Sequence, residues 1–202
     1  MSNRCFLSFK KEDMDYKDKI VELLGGEKIK VKSLDVEIDS EDIDYVLQKI
    51  REEYMSNTSV TIFLIGKNSS ENEGSDCKGN KQSFIIRELQ ATLYDGKGNR
   101  RSGLLGIVLP KMYSNIYGDS YECQVCGKKI NYVNINDDTV IREFHKNYYL
   151  KKNKCDHYSE GDRFCVLVKY DDFINNPDKY ITEAYEKTTQ PISKLVQWRK
   201  LR

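Results

Sequence analysis

Ser59-Val-Thr-Ile-Phe-Leu-Ile65 is the stretch of this 202-residue chain that decides its fold. It is rich in β-branched and aromatic side chains, and Thr61 is the only polar residue that interrupts its apolar run. Such a run is typical of a central strand that is covered on both faces of a sheet. Gly66 follows it directly, so the sequence predicts a buried strand that ends at a loop.

Four more segments have the length and apolar character of strands, and helical patterns separate them. Strand alternating with helix implies parallel strands joined by right-handed crossovers. The sequence therefore predicts the α/β class, with one doubly wound, five-stranded parallel sheet in a single domain over residues 1–202. The other predicted strands are Arg4–Phe9, Lys28–Val36, Leu104–Leu109 and Phe164–Tyr170, and the predicted helices are Glu12–Leu24, a segment from a cap at Asp39 or Ser40 to Tyr54, Gln82–Tyr94, and a segment from Asn176 towards Tyr185.

Two segments break the alternation of strands and helices. Residues 111–162, here called the insertion, are rich in Tyr, Asn and Lys and hold three of the six cysteines. They predict an irregular, Cys-rich insertion before the last strand. Residues 67–81 are polar, rich in Gly and Ser, and longer than an ordinary connection, so they are either a mobile loop over a site or simply disordered.

The charge balance argues against nucleic acid as a partner, because Lys and Arg number 33 and Asp and Glu number 32. The one basic cluster, Lys194–Arg202, is interpreted as the solvated face of a C-terminal helix. No segment has the length of a membrane span, and the apolar part of the first ten residues is shorter than that of a signal peptide. We therefore expect a cytoplasmic protein without a membrane partner, whose cysteines are free thiols or metal ligands.

The carboxyl ends of parallel strands predict where a ligand binds. Ser8-Phe9-Lys10, residues 35–39 and residues 66–68 follow the first three strands and should line one crevice. On a helical wheel of the next helix, Phe84 and Glu88 lie together on the shoulder of the core face. In itself, a helical glutamate is most often a solvated surface residue. The predicted core face consists of Ile85, Ile86, Leu89 and Leu93.

Four short stretches resemble the TIR-like (ThsB-type) proteins of bacterial Thoeris anti-phage defence. Arg4–Asp13 looks like the opening strand and acidic-polar turn of TIR domains, and Leu34–Glu37 is similar to the end of their second strand and the start of the BB loop. Asn57–Gly66 looks like their third strand, and Phe84–Glu88 matches an aromatic-x-x-x-Glu signature, with Phe in place of the usual Trp. The resemblance implies a TIR/flavodoxin-like fold, from which the long loop and the insertion are departures.

The resemblance further implies that the protein cleaves the nicotinamide–ribose bond of NAD+, with Glu88 as the catalytic residue. Loss of neutral nicotinamide builds positive charge on the ribose, so the transition state resembles an oxocarbenium ion. A carboxylate beside the ribose stabilises that charge, and the leaving group needs no acid. The implied enzyme is an NAD+ glycohydrolase or ADP-ribosyl cyclase whose product signals to a separate effector. Linear ADP-ribose, cyclic ADP-ribose isomers and base-exchange conjugates all remain open as products.

The resemblance also implies substrate-binding roles for five residues, among them Ser8 at the end of the first strand. Phe9 would stack on a flat ring of NAD+, and Lys10 would face its phosphates. Asp35 would shape the BB loop, and Phe84 would wall the ribose side. The alternative interpretations are plain core packing for the two phenylalanines and an ordinary surface position for the lysine.

Four residues of the insertion have the composition of a zinc site. Cys123-Gln-Val-Cys126-Gly is a CxxC turn of the kind that starts many zinc sites, and Cys155 and His157 are candidates for the other two ligands. The Cys-x-His spacing is less common than a second CxxC, and each cysteine is alternatively a free thiol. No open, carboxylate-rich pocket is indicated there, so the predicted zinc is structural.

Two other classes of function compete with the enzyme. A TIR scaffold would act only by assembly with partners, and the presence of Glu88 favours the enzyme over it. A zinc-bearing nucleic-acid module built on the insertion is disfavoured by the lack of net positive charge. TIR sites are often completed by the BB loop of a neighbour, so self-association through TIR surfaces is expected with either TIR function.

Overall fold

The computed structural model describes residues 3–31, 40, 42–71, 83–96, 100–151, 155 and 157–198, and strands and helices alternate through most of them. The strands are β1 (Cys5–Ser8), β2 (Ile29–Lys30), β3 (Val60–Ile65), β4 (Gly103–Val108), β5 (Tyr117–Glu122), β6 (Lys129–Val133) and β7 (Val166–Lys169). The α-helices are α1 (Met14–Leu24), α2 (Ile43–Glu53), α3 (Ser83–Leu93), α4 (Tyr113–Ile116), α5 (Arg142–Tyr148), α6 (Tyr170–Asn175) and α7 (Pro177–Lys187).

Five parallel strands form one sheet in the order β2-β1-β3-β4-β7, which confirms the predicted α/β class and doubly wound topology. The chain moves outward from β1 to β2 and then returns to the other side of β1, where β3 pairs with it. Ser8 is opposite Phe63 in this pairing. The strand order thus reverses between β1 and β3, and in such sheets ligands bind beyond the carboxyl ends at this switch point.

The two central strands, β3 and β4, are buried along their whole length, as the apolar run in the sequence predicts. Helices α1, α6 and α7 cover one face of the sheet, and α2, α3 and α5 cover the other. Thr61 is tolerated within β3 because its hydroxyl lies 2.8 Å from that of Thr92 in α3, so the buried polar group is satisfied.

The insertion is more regular than the sequence indicated. It contains the antiparallel hairpin β5–β6 and the helix α5, and α5 packs against the central sheet. A Cβ added to Gly106 in β4 would lie 2.5 Å from the ring of Phe144, so this aromatic side chain rests directly on the strand. The prediction of an irregular insertion is therefore wrong. It overlooked the helical spacing of Val140, Ile141, Phe144 and Tyr148, all of which are buried.

Three further predictions differ from the structure at element ends. Asp42 caps α2, two residues beyond the predicted Ser40, because its side chain accepts hydrogen bonds from two backbone N–H groups of the first turn. Asp39 itself lies outside the described residues, as does the predicted second strand from residue 32 onward. The chain near Lys194 forms a 3-10 turn instead of an α-helix and then returns to α5, where the N–H of Gln197 donates to the side chain of Asn147 at 2.8 Å.

The helices of the described residues are short. None of them combines the length and the apolar character that crossing a bilayer requires.

Candidate active site

Glu88 and Ser8 meet at the switch point between β1 and β3. The hydroxyl of Ser8, the last residue of β1, donates a 2.7 Å hydrogen bond to Oε2 of Glu88 in the middle of α3. Ser8 is fully buried, and only 3% of Glu88 is exposed. A glutamate is rarely this buried, because removing a carboxylate from water is costly unless hydrogen bonds satisfy it. The fold therefore holds one dehydrated, oriented carboxylate where ligands bind in sheets of this topology.

The burial of Glu88 differs from the partly exposed shoulder position that the helical wheel predicted. The wheel placed the core face correctly, since Ile85, Ile86, Leu89 and Leu93 pack in one buried cluster. It could not show that α2 and α5 flank α3, so that the helix is buried on more than its sheet-facing side. On the insertion side, the buried Gln90 donates to the Glu143 carboxylate of α5 at 3.2 Å. The insertion thus supports the helix that carries Glu88.

Phe84 is half-buried and packs against the cluster that α2 forms with Phe6 and Ala91. Phe9 is half-buried as well, and the ammonium of Lys17 lies 5.9 Å from the centre of its ring. Both aromatic side chains therefore pack on neighbouring elements at the edge of the site. Their predicted contacts with NAD+ stay predictions. Asp35, predicted to shape the BB loop, lies outside the described residues.

Lys10 follows β1 and lies in a partly dehydrated environment. Burial lowers the pKa of its ammonium, and the nearby carboxylates of Glu12 and Asp13 oppose this effect. The side chain is half-buried, so the alternative interpretation of Lys10 as an ordinary surface residue is only partly correct. A partly dehydrated ammonium at a strand end attracts anions more strongly than one in bulk water. This environment is compatible with the predicted contact to phosphates.

Asp13 is a second buried carboxyl group at the same edge, and no role was predicted for it. A Cβ added to Gly66, just beyond the end of β3, would lie 2.3 Å from Oδ2 of Asp13, so the carboxyl packs directly on this glycine. Burial, together with Glu12, raises the pKa of Asp13 to about 6, and Lys10 and Lys111 oppose the rise. The sequence signal that could have identified Asp13 was an acidic turn after β1 together with a glycine after β3.

The start of the long polar loop makes hydrogen bonds to neighbouring elements. The hydroxyl of Ser69 accepts a 2.8 Å hydrogen bond from the N–H of Gly66 and lies 3.2 Å from the carbonyl of Leu64. Glu71 then joins the loop to the insertion, because its carboxylate accepts a 3.0 Å hydrogen bond from the N–H of Arg142. Hydrogen bonds therefore join this part of the loop to the end of β3 and to the insertion, residues 72–81 lie outside the described residues, and the mobility of the loop stays a prediction.

Four possible metal ligands lie together in the insertion. They are separate, in sequence and in topology, from the elements that hold Glu88. The Sγ atoms of Cys123, Cys126 and Cys155 and one ring nitrogen of His157 all lie within 4.8 Å of one another. The Cys126 sulfur lies 3.3 Å from Nε2 of the histidine. The spatial grouping that the sequence predicted is therefore present.

Residues 6–76 match the model of the family described as Thoeris protein ThsB, TIR-like domain. The match begins in β1 and ends before α3, so it contains Ser8, Phe9, Lys10 and Asp13, whereas Glu88 and the insertion lie beyond it. No curated protein matches the chain.

Proposed function

The chain carries a TIR-like domain of the Thoeris ThsB family, and we propose that this domain cleaves the nicotinamide–ribose bond of NAD+. The observation that carries the proposal is the buried Glu88 carboxylate, held by Ser8 at the switch point of the sheet. The proposed activity is that of an NAD+ glycohydrolase or ADP-ribosyl cyclase. Its ADP-ribose-derived product would act in the cytoplasm as an anti-phage signal to a separate effector.

Cleavage of this bond requires the protein to stabilise positive charge on the ribose. When the bond to nicotinamide breaks, the electron pair leaves with the neutral base and the ribose becomes an oxocarbenium ion. A carboxylate fixed in a site of low dielectric stabilises this charge more than a solvated carboxylate, because it needs no reorganisation. Glu88 is fixed in this way by Ser8 before substrate arrives. Water or a hydroxyl group of the same nucleotide then captures the cation.

Access to Glu88 requires a local rearrangement, since only 3% of the residue is exposed. A carboxylate can accept several hydrogen bonds, so a ribose hydroxyl can donate to Glu88 while Ser8 continues to orient it. The added hydrogen bond would keep the buried charge satisfied while the substrate binds. Lys10 would neutralise the phosphates, Phe9 would stack on a ring, Phe84 would wall the ribose side, and Asp35 would shape the BB loop.

A non-catalytic TIR scaffold is the competing function, and the free-energy cost of burying the Glu88 carboxylate argues against it. A scaffold gains nothing from a carboxylate inside its core, and apolar residues of similar volume often replace buried charges without loss of stability. A buried polar residue at a ligand-binding edge is better explained by a chemical role. Self-association through TIR surfaces is compatible with both functions, so an oligomer alone would not distinguish them.

The proposal is tested by small-molecule mass spectrometry on cells that express the protein, with and without phage infection. The enzyme predicts a fall in NAD+, a matching rise in nicotinamide, and a new ADP-ribose derivative whose mass identifies it as linear, cyclic or base-exchanged. Cells that express Glu88→Gln at the same level should keep their NAD+. An unchanged NAD+ pool in infected cells that contain the folded wild-type protein would overturn the enzyme and leave the scaffold.

A further inference from the structure

We propose that Cys123, Cys126, Cys155 and His157 bind one structural zinc ion that joins the β5–β6 hairpin to the segment leading into β7. Three thiolates and one imidazole are a common ligand set for structural zinc. A tetrahedral ion with Zn–S bonds of about 2.3 Å and a Zn–N bond of about 2.0 Å places ligand atoms about 3.5–3.8 Å apart. The four atoms all lie within 4.8 Å of one another, so closure around the ion needs shifts of about 1 Å or less.

The hairpin turn already has the geometry of a metal-binding knuckle. Cys123 is buried and directly follows β5, and Cys126 lies three residues later in the same turn. The N–H of Gly127 donates to the carbonyl of Cys123 at 2.8 Å, and its φ of +67° is a left-handed conformation that glycine adopts without strain. This turn brings both sulfurs within 4.8 Å of each other and of the other two possible ligand atoms.

His157 supplies an imidazole that is already oriented. It is 8% exposed, and its Nε2 faces the Cys126 sulfur at 3.3 Å. Its Nδ1 is buried and has no hydrogen-bond partner among the residues that the structure describes. Coordination through Nε2 would fix the ring and would place its proton on Nδ1.

The composition of the cluster assigns the ion a structural role. Four protein ligands fill a tetrahedral shell and leave no open position for water or substrate. The ion would join the hairpin turn to a segment that has little regular structure of its own, since the described part of residues 149–165 contains a single 3-10 turn. The adjacent Arg163 donates to the hydroxyl of Tyr148 in α5. Zinc therefore stabilises the insertion, and this inference does not depend on NAD+ cleavage.

The first test measures zinc in untagged protein purified without chelator, by native mass spectrometry and by elemental analysis. We expect one zinc per chain, and a loss of at least about tenfold in zinc content for Cys126→Ser and for Cys155→Ser. The matched control is Cys5→Ala, which removes a buried thiol outside the insertion and should keep one zinc per chain. Wild-type protein without zinc, or the double variant Cys126→Ser/Cys155→Ser with full zinc, would overturn the site.

The second test keeps the proposal falsifiable where a variant fails to fold. Cobalt(II) added to chelator-treated wild-type protein should give the intense visible bands of tetrahedral coordination and a thiolate charge-transfer band. Chelator alone should lower the Tm of the wild-type protein by about 5 °C or more. Removal of zinc should speed hydrogen exchange in the β5–β6 turn and in residues 157–163, and this change should occur earlier than any change in β3. An octahedral cobalt spectrum, or an unchanged Tm together with an unchanged exchange pattern, would contradict the assignment.

Discussion

The Ser8–Glu88 pair and the cysteine–histidine cluster of the insertion are two groups of polar side chains that are built in opposite ways. Ser8 and Glu88 are 80 residues apart in sequence and are joined by a strand and a helix of the main sheet. The four possible zinc ligands lie in one hairpin turn and one irregular segment. Regular elements can hold a single charged side chain in place by packing, which is what a catalytic group needs. Irregular segments need a cross-link, and a fully coordinated metal supplies one.

The largest expected effects are opposite for the two groups, since one substitution should reduce NAD+ cleavage and the other should reduce thermal stability. Glu88→Gln keeps a side chain of the same size that can accept a hydrogen bond from Ser8. The free energy of unfolding should therefore change by about 1 kcal/mol or less. It removes the charge that faces the ribosyl cation, so NAD+ cleavage should fall about 100-fold or more. Cys126→Ser should show the reverse, with cleavage by the folded fraction within about threefold of wild type and a lower Tm. Chromatographic measurement of nicotinamide release and a thermal melt check both variants.

Glu22→Gln is the control for the loss of a carboxylate, because Glu22 is exposed on α1 and has no proposed role in the site. It should match wild type in both measurements. Equal losses of activity in Glu22→Gln and Glu88→Gln would remove the distinction between the two positions.

The next effect tests whether the insertion is part of the core. Gly106→Ala adds a Cβ that would lie 2.5 Å from the ring of Phe144, so α5 must move or the substitution must be strained. We expect a loss of about 1–3 kcal/mol in the free energy of unfolding. The control is Gly161→Ala, whose new Cβ would lie 3.8 Å from the nearest atom, the hydroxyl of Ser159. Urea denaturation of both variants measures the difference, and a Gly106→Ala variant as stable as Gly161→Ala would contradict the packing of α5 on β4.

Much of the sheet could be predicted because apolar runs such as Val60–Ile65 indicate buried strands by themselves. The cysteine cluster could be predicted because CxxC is a local motif. The burial of Glu88 could not, since a helical wheel contains no information on the helices that flank α3. The helix α5 was missed because its tyrosine and asparagine neighbours mask the apolar positions. Asp13 was missed because its environment depends on the backbone of Gly66, which is distant in sequence.

A smaller effect is expected for Ser8→Ala, which removes the donor to Glu88. The carboxylate would stay buried with one hydrogen bond fewer, which costs about 1–3 kcal/mol of stability. NAD+ cleavage should fall about 3- to 30-fold, less than for Glu88→Gln, because the charge remains while its orientation is lost. Thr61→Ala is a useful comparison, since this residue makes a buried hydroxyl contact at 2.8 Å on the same face and has no proposed role. Equal turnover in the two alanine variants would remove Ser8 from the site.

The smallest effect concerns the pH dependence that Asp13 introduces. Its pKa in the folded protein is about 6, above the ordinary 3.8, so the folded state holds this proton more tightly than the unfolded state. Stability from this group is therefore greatest below about pH 4 and declines as the pH rises through 6. Asp13→Asn should be as stable as wild type at pH 4 and about 1 kcal/mol more stable at pH 7.5, since solvent screens part of the full effect.

Thermal melts across this pH range measure the difference, which corresponds to about 2–4 °C in Tm. A variant whose Tm differs from wild type by the same amount at pH 4 and pH 7.5 would show that Asp13 does not titrate as its burial indicates.

The most direct measurement of the central claim compares substrate binding and bond cleavage in one preparation of wild-type and Glu88→Gln protein. NAD+ binding is followed by calorimetry, and nicotinamide release is followed on the same samples at a protein concentration high enough to permit self-association. A carboxylate that acts in the transition state predicts binding within about threefold of wild type and cleavage that is at least about 100-fold slower. Cleavage by Glu88→Gln at the wild-type rate, or a loss of binding as large as the loss of cleavage, would contradict the role assigned to Glu88.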